Sequence, residues 1–261
     1  MNALRLFGVF LRIGAMAELA YRANFWVQAV ESLLSIGSAL GGIAVVFTWT
    51  DSLHGWRSDE LVVVIGVYFM VLGLVNFIVA PSLEKFTEQV RDGTLDFTLT
   101  KPADAQLLVS ISQVEIWKLI DVALGAGALV YGLHGLARHV GPAEMLSFAV
   151  ALVAGGAIVY AFWLVLATLA FWFIRIENIL MIFWMVYGAG RWPVTIYPDW
   201  LRWTLTLVVP VAFAVTVPAE AVTGRLDPST LVFAVALAIA SLALSRAFWR
   251  FGLRRYAGAS A

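Results

Sequence analysis

Cysteine is absent from this 261-residue chain, which removes disulfide bridges, thiolate catalysis and zinc-thiolate centres in one step. Charge is scarce as well. Asp, Glu, Lys and Arg make up 13% of the residues against 62% that are apolar, and the formal net charge is zero, so whole-molecule charge points to no nucleic acid or acidic partner. Histidine is limited to His54, His134 and His139, all at or near the loops of one side. GxxxxGK[ST] phosphate cradles, HExxH zinc pairs and GxSxG nucleophile elbows are missing, and Ser35, Ser38 and Ser241 have no histidine at their depth to act as base. The expectation is a chain with no catalytic residues, bound cofactor or metal of its own. A cleavable signal is missing too, because Arg5, Arg12, Glu18 and Arg22 break Met1–Arg22 before any uninterrupted apolar stretch. The first span is expected to act as its own insertion signal.

What fills the chain instead is hydrocarbon. A mean hydropathy of +0.89, with apolar runs near the roughly 20 residues that cross a bilayer, places it among integral membrane proteins. Val27–Trp49, Leu61–Ala80, Ile116–Leu136, Met145–Phe173, Ile179–Tyr197 and Leu231–Phe248 read as six spans. Leu201–Val222 is a seventh apolar run, but Pro210 and Pro218 cut it into pieces too short to cross as one regular helix. The expected fold is one all-α membrane domain over residues 1–261, with six transmembrane helices.

Lysine and arginine collect on cytoplasmic loops. With six spans and a cytoplasmic N-terminus, the outer side holds only Arg57, Arg138, Arg191, Arg202 and Arg225, leaving 12 of the 17 basic residues inside. A seventh crossing would carry Arg246, Arg250, Arg254 and Arg255 outside. Residues 201–222 are therefore read as a re-entrant hairpin dipping from the outer face, its broken backbone covered by protein or a water-lined cavity. Both termini fall in the cytoplasm. Trp26, Trp117, Trp172 and Trp249 lie near the inner edges and Trp49, Trp56, Trp192, Trp200 and Trp203 near the outer ones, as aromatic belts; the outer cluster also suits a stacking or ligand-cage role.

Met1–Arg22 is amphipathic, with Leu6, Phe10, Ile13, Ala17 and Ala20 on one face and Arg5, Arg12, Glu18 and Arg22 on the other. Such a helix lies flat on the cytoplasmic leaflet, as an anchor or as a surface that touches a partner. Glu115, Lys118 and Asp121 form an intramembrane charge cluster on one side of the third span, where Lys118 can pair with either carboxylate. A neutralised structural pair and a proton relay both fit that spacing. Gly37 and Gly41, followed by Gly42, and the pairs Gly125 with Gly127 and Gly155 with Gly156, suit close helix packing within this chain or with a partner.

One polar island, Glu84 to Asp104, interrupts the apolar sequence. Pro81 is expected to end span two, and Leu83–Val90 to form a short surface helix with Glu84, Glu88 and Arg91 exposed. Gly93 then permits a sharp reversal before Leu95, and Asp104 can cap the following helix. An ordinary loop and a force-transmitting helix gripped by a cytosolic partner both fit.

Three motifs in order between six spans carry a resemblance: Tyr21-Arg22-Ala23-Asn24-Phe25 before span one, Gly93-Thr94-Leu95-Asp96 with Lys101-Pro102 after span two, and Gly190-Arg191-Trp192-Pro193-Val194-Thr195-Ile196-Tyr197-Pro198 at the outer border. Over essentially its whole length the chain resembles the permease subunit of ABC-2 type exporters, in the branch once catalogued as a domain of unknown function. The resemblance implies half of an exporter of the bacterial inner membrane, pairing with a second permease, identical or different, and with separate cytosolic ATPase subunits that bind ATP-Mg. It implies an interface helix at Met1–Arg22 and a coupling helix at Leu83–Arg91, with Glu84, Lys85, Glu88, Arg91, Asp92, Gly93, Leu95 and Asp96 as the ATPase contact. It also implies an outer gate around Leu201–Val222, with Arg191, Trp192, Pro193, Tyr197 and Glu220; Arg191 either locks the gate with Glu220 as partner or snorkels to the interface. The substrate expected is hydrophobic or amphipathic. The competing readings are an ion-coupled carrier, which calls for inverted repeats and mid-membrane acids, and a non-transporting membrane scaffold.

Overall fold

The structure, a computed structural model, describes residues 3–20, 22–136, 140–173 and 177–256. Arg138, His139 and Arg175 of the tallies above, and Met1, Asn2 and Tyr21, lie outside the described residues. So do the side chains of Arg5, Leu6, Ala17, Ala20 and Arg22, on which the two-faced reading of the first helix partly rests.

The described elements are helical, in the order α1 (Ala3–Ala20), α2 (Arg22–Val46), α3 (Ser58–Arg91), two short helices α4 (Asp96–Leu99) and α5 (Ala105–Ser110), α6 (Ile116–Gly135), α7 (Pro142–Phe171), α8 (Glu177–Tyr187), α9 (Asp199–Val208), α10 (Ala212–Thr223) and α11 (Pro228–Leu253). Among the described residues, five helices rather than six are long and apolar enough to cross a bilayer: α2, α3, α6, α7 and α11. The expected fifth span is shorter than its hydropathy suggests. After α8 the chain tightens into a 3-10 turn over Gly188–Arg191 and turns extended at Trp192, where Pro193 supplies no N–H to carry a helix on.

Helix α3 is the centre of the bundle. Val63, Val64 and Val67 are fully covered, and Leu61, Ile65 and Phe69 nearly so, as expected of a helix apolar on every side. Its tightest partner is α6, and glycine is the reason. A Cβ on Gly66 would lie 2.5 Å from the Leu129 nitrogen and one on Gly125 would lie 2.6 Å from the Gly66 carbonyl oxygen, while Gly73 and Gly132 meet opposing backbone at 2.8 and 2.9 Å. Gly66 with Gly73 and Gly125 with Gly132 keep a seven-residue spacing, so two backbones run in contact for two heptads.

The expected break at Pro81 does not occur: α3 is 34 residues long and passes through that proline. A mid-helix proline removes one N–H and displaces the carbonyl four residues earlier. Here the chain widens into a π turn at Val75–Val79, closed by Ala80 N–H to Val75 O, and the Phe77 carbonyl accepts from Glu115 N–H of the next segment at 2.9 Å. Ser82 adds a second stitch, its hydroxyl donating to the Gln113 carbonyl at 2.7 Å and accepting from the Gln113 N–H at 3.1 Å. Leu83–Arg91 is thus the last turns of α3, not a separate helix.

The proline-broken pair α9 and α10 bends by 82°. Its two ends fasten around the start of α3: Trp56 Nε1, in the loop before α3, donates to Thr195 Oγ1 at 3.0 Å just before α9, and Arg225, just after α10, bonds Glu60 in the first turn of α3. The bend itself lies deep between helices, with the Val211 side chain against Gly190 and the Phe213 carbonyl against Gly155, where a Cβ would sit 2.3 Å from that oxygen. Trp56 and Trp249 are corrections to the belt reading. Each is 2% exposed, Trp56 under the Arg225 guanidinium and Trp249 in an aromatic cluster with Phe86 and Phe171.

Candidate functional site

At the Arg91 end of α3, the i, i+4, i+7 spacing puts Glu84, Glu88 and Arg91 on one exposed stripe, with Lys85 half-buried beside it. Leu83 and Phe86 face the opposite way and are fully covered, which anchors the helix against the Trp249 cluster. The helix ends where Gly93 adopts a φ of 68°, and the N–H groups of Thr94 and Leu95 both fold back onto the Gln89 carbonyl, a left-handed stop open to glycine at low cost. Asp92 is exposed and takes a hydrogen bond from Arg91 Nε at 3.1 Å, and Asp96 opens α4. Of the eight residues expected at this contact, Leu95 is the exception: it is fully buried and holds the turn in place from beneath. The residue missed is Phe97, 75% exposed on α4. An aromatic side chain between Asp96 and Thr98 was the available signal. Next to it, Asp104 does cap α5, accepting from Leu107 N–H at 3.0 Å. It also pairs with Arg246, whose Nη1 bonds Oδ1 at 2.9 Å. That arginine first, against some loss of hydration, with the Leu107 N–H assisting, lowers the Asp104 carboxyl to about 2.

At the Ser58 end, the expected Arg191–Glu220 pair does not form. Arg191 Nη2 donates to Ser35 Oγ at 3.3 Å and the guanidinium lies 5.6 Å from the Tyr68 ring centre, with Nε buried and unpartnered. Tyr68 is ten residues into α3, about 15 Å from its start, so this arginine turns inward among α2, α3 and the bend and does not snorkel outward. Tyr187 stacks on Tyr68 at 5.5 Å. Trp192 is half-buried and Pro193 buried; Tyr197 ties back to the Ala189 carbonyl at 2.9 Å, and Val194 N–H reaches Thr216 Oγ1 of α10 at 3.2 Å. The clasp at this end is Arg225 on Glu60, two bonds of 2.7 Å, with the guanidinium 4.7 Å over Trp56 and Nη2 on the Gly55 carbonyl at 2.5 Å. Glu220 sits beside Arg225. The clasp residues are far apart in sequence, and no local pattern pairs them.

The charge triad also divides. Glu115 precedes the 3-10 turn Ile116–Lys118 with non-helical backbone, so the three residues do not share a helical stripe. Lys118 Nζ donates to Gln28 Oε1 of α2 at 2.8 Å and forms no ion pair with either acid among the described residues; Gln28 Nε2 passes the chain of bonds to Ser32 at 2.9 Å. Asp121 is buried beside that same Ser32.

The glycines of α2 answer the packing question. Gly37, Gly41 and Gly42 have nothing within 4 Å, and Glu31, Leu34, Ser38 and Gly41 make an exposed face. Gly127 and Gly156 are open too, whereas Gly125 and Gly155 are seam positions.

A bundle of apolar helices, with one long central helix joining a clasp at one end to a charged tip at the other, defines a multi-pass membrane protein. The chain matches the ABC-2 family transporter proteins over residues 33–260 and belongs to that family. It is an ABC-2 type permease, in agreement with the resemblance carried by its motifs. Members of this family are typically non-catalytic membrane subunits that generally pair with ABC ATPase subunits. No curated protein and no solved structure matches the chain.

Proposed function

We propose that the chain is half of the membrane pathway of an ATP-driven exporter for a hydrophobic or amphipathic substrate, working with ATP-Mg bound in a separate cytosolic ATPase. The observation that carries this reading is α3. At about 1.5 Å per residue, its 34 residues span about 51 Å, against about 30 Å of hydrocarbon. The Arg91 end therefore stands clear of the bilayer on the cytoplasmic side, presenting Glu84, Glu88, Arg91, Asp92 and Phe97 to the ATPase while Glu60 of the same helix holds the outer clasp. A push on the tip reaches the clasp along one continuous helix.

With α8 and the irregular stretch after it, as far as Tyr197, together making a sixth crossing, and α9 with α10 as the re-entrant pair, both termini lie in the cytoplasm of a bacterial inner membrane. The unfilled face of α2 supports a second permease, identical or different. Exposed Glu31 on that face is costly against lipid, and Gly37 and Gly41 admit a close neighbour. α1 suits an interface helix: Phe7 and Phe10 pack on Leu108 and Ile111 around α5, while Val9, Ile13 and Met16 remain exposed as an apolar stripe.

The test is purification of the tagged chain in mild detergent from its native host, with identification of co-purifying subunits and assay of ATP hydrolysis. Recovery of a Walker-bearing ATPase that is lost when Glu84, Glu88 and Arg91 are replaced together supports the reading. A chain that purifies alone under several detergents sinks it and favours an ion-driven carrier or a scaffold.

A further inference from the structure

Where α1, α2 and the start of α6 meet, Glu18, Asn24, Gln28, Glu115, Trp117 and Lys118 line a cavity of about 280 Å³. Its lining is polar and of both signs, unlike the greasy grooves along α7 and α11. Lys118 uses one of its three N–H donors on Gln28. Glu115 has its backbone fixed on Phe77, but its carboxylate takes no hydrogen bond and no ion pair among the described residues, and Glu18 adds a second, repelling negative charge. The Trp117 indole N–H is buried without a partner. The cavity therefore holds one ammonium, near Glu115 and with donors to spare, against two carboxylates that form no ion pair among the described residues. It stands at Ile116, the first residue of α6, next to Trp26 and Val27 of α2, which are 68% and 66% exposed. That is headgroup depth for an interfacial tryptophan.

We propose that this cavity binds the phosphoethanolamine headgroup of a membrane lipid. Lys118 and the Asn24 amide take the phosphate oxygens, Glu18 and Glu115 take the primary ammonium, and Val27 starts the acyl chain along α2. Two carboxylates against one lysine disfavour a purely anionic headgroup. A trimethylated ammonium has no N–H to give them and prefers aromatic faces. The inference rests on Ile116 lying at the bilayer border, not on ATPase coupling, so the two readings fail separately.

The experiment is native mass spectrometry of the purified chain released from nanodiscs containing equal fractions of phosphatidylethanolamine, its mono- and dimethyl derivatives, phosphatidylcholine and phosphatidylglycerol. Retention should fall stepwise as N–H donors are methylated, by about tenfold from ethanolamine to choline, the size of one lost charge-assisted hydrogen bond. The combined change Glu18→Gln with Glu115→Gln should erase that order, and Lys118→Gln should lower retention of every phospholipid. Equal retention of ethanolamine and choline lipids by the unmodified chain, which needs no variant to fold, overturns the proposal. So does an order that survives Glu18→Gln with Glu115→Gln. Displacement by soluble phosphoethanolamine as effective as by the added lipid overturns the lipid as the source.

Discussion

Removing Arg225 strips the Glu60 carboxylate of its cation in a place with little water to replace it. The Glu60 side chain is 9% exposed and that of Arg225 35%. Stranding one member of a buried pair costs about 3–5 kcal/mol, but the Arg57 N–H remains on Glu60 at 2.8 Å and the arginine is partly in solvent, which brings Arg225→Ala to about 2–3 kcal/mol. A chain of this size loses about 2–4 °C per kcal/mol, so Tm should drop by about 4–12 °C in lipid nanodiscs, read from intrinsic fluorescence in which Trp56 reports directly. Glu60→Gln should cost about 1–2 kcal/mol, because one fork of the bond survives. Arg225→Lys should recover only part of the loss, since it keeps the charge without the two-pronged geometry or the stack on Trp56. The decisive quantity is the double-mutant coupling of Arg225→Ala with Glu60→Gln, expected at about 1 kcal/mol or more. Additivity within about 0.5 kcal/mol would refute the clasp.

The two kinds of glycine should separate in one experiment. Gly125→Ala drives a Cβ to 2.6 Å from backbone of α3 and should cost about 1–3 kcal/mol or more of thermal stability. Gly41→Ala, with nothing within 4 Å, should leave the chain's own stability within about 0.5 kcal/mol while weakening cross-linking between copies. At low pH the Asp104–Arg246 bridge should fail with a definite sign. The carboxyl is held at about 2 against an ordinary 3.8, so its stabilisation is whole above the ordinary value and disappears as pH falls through about 2. Because Asp104 is 46% exposed, the effect should be about 1 kcal/mol, and Asp104→Asn should remove that part of the acid unfolding curve. Phe97→Ala should weaken ATPase binding by about thirtyfold, or about 2 kcal/mol, without moving Tm.

The spans were legible because crossing hydrocarbon demands a run of apolar residues, and α2, α3, α6, α7 and α11 each supply one. So was the bent pair, since Pro210 and Pro218 forbid a straight helix on purely local grounds. Pro81 shows where local reasoning ends. Its cost in a helix is also local, yet the remedy, an N–H from Glu115 for the Phe77 carbonyl, comes from the next segment, and no reading of the neighbours of Pro81 contains it. Gly66 and Gly73 have the same character. Nothing near them looks like a motif, whereas the conspicuous Gly37 and Gly41 pair touches nothing in this chain. The small residues of these helices therefore divide by contact: those facing α6 are already used, and those on α2 meet nothing among the described residues. The outward charge on that face leads to the same conclusion. Glu31 and Gly41 share one side of a helix that the rest of the bundle leaves uncovered. In the proposed assembly, a second permease seated there would remove both the exposed charge and the open groove, with the ATPase acting at the far end of α3.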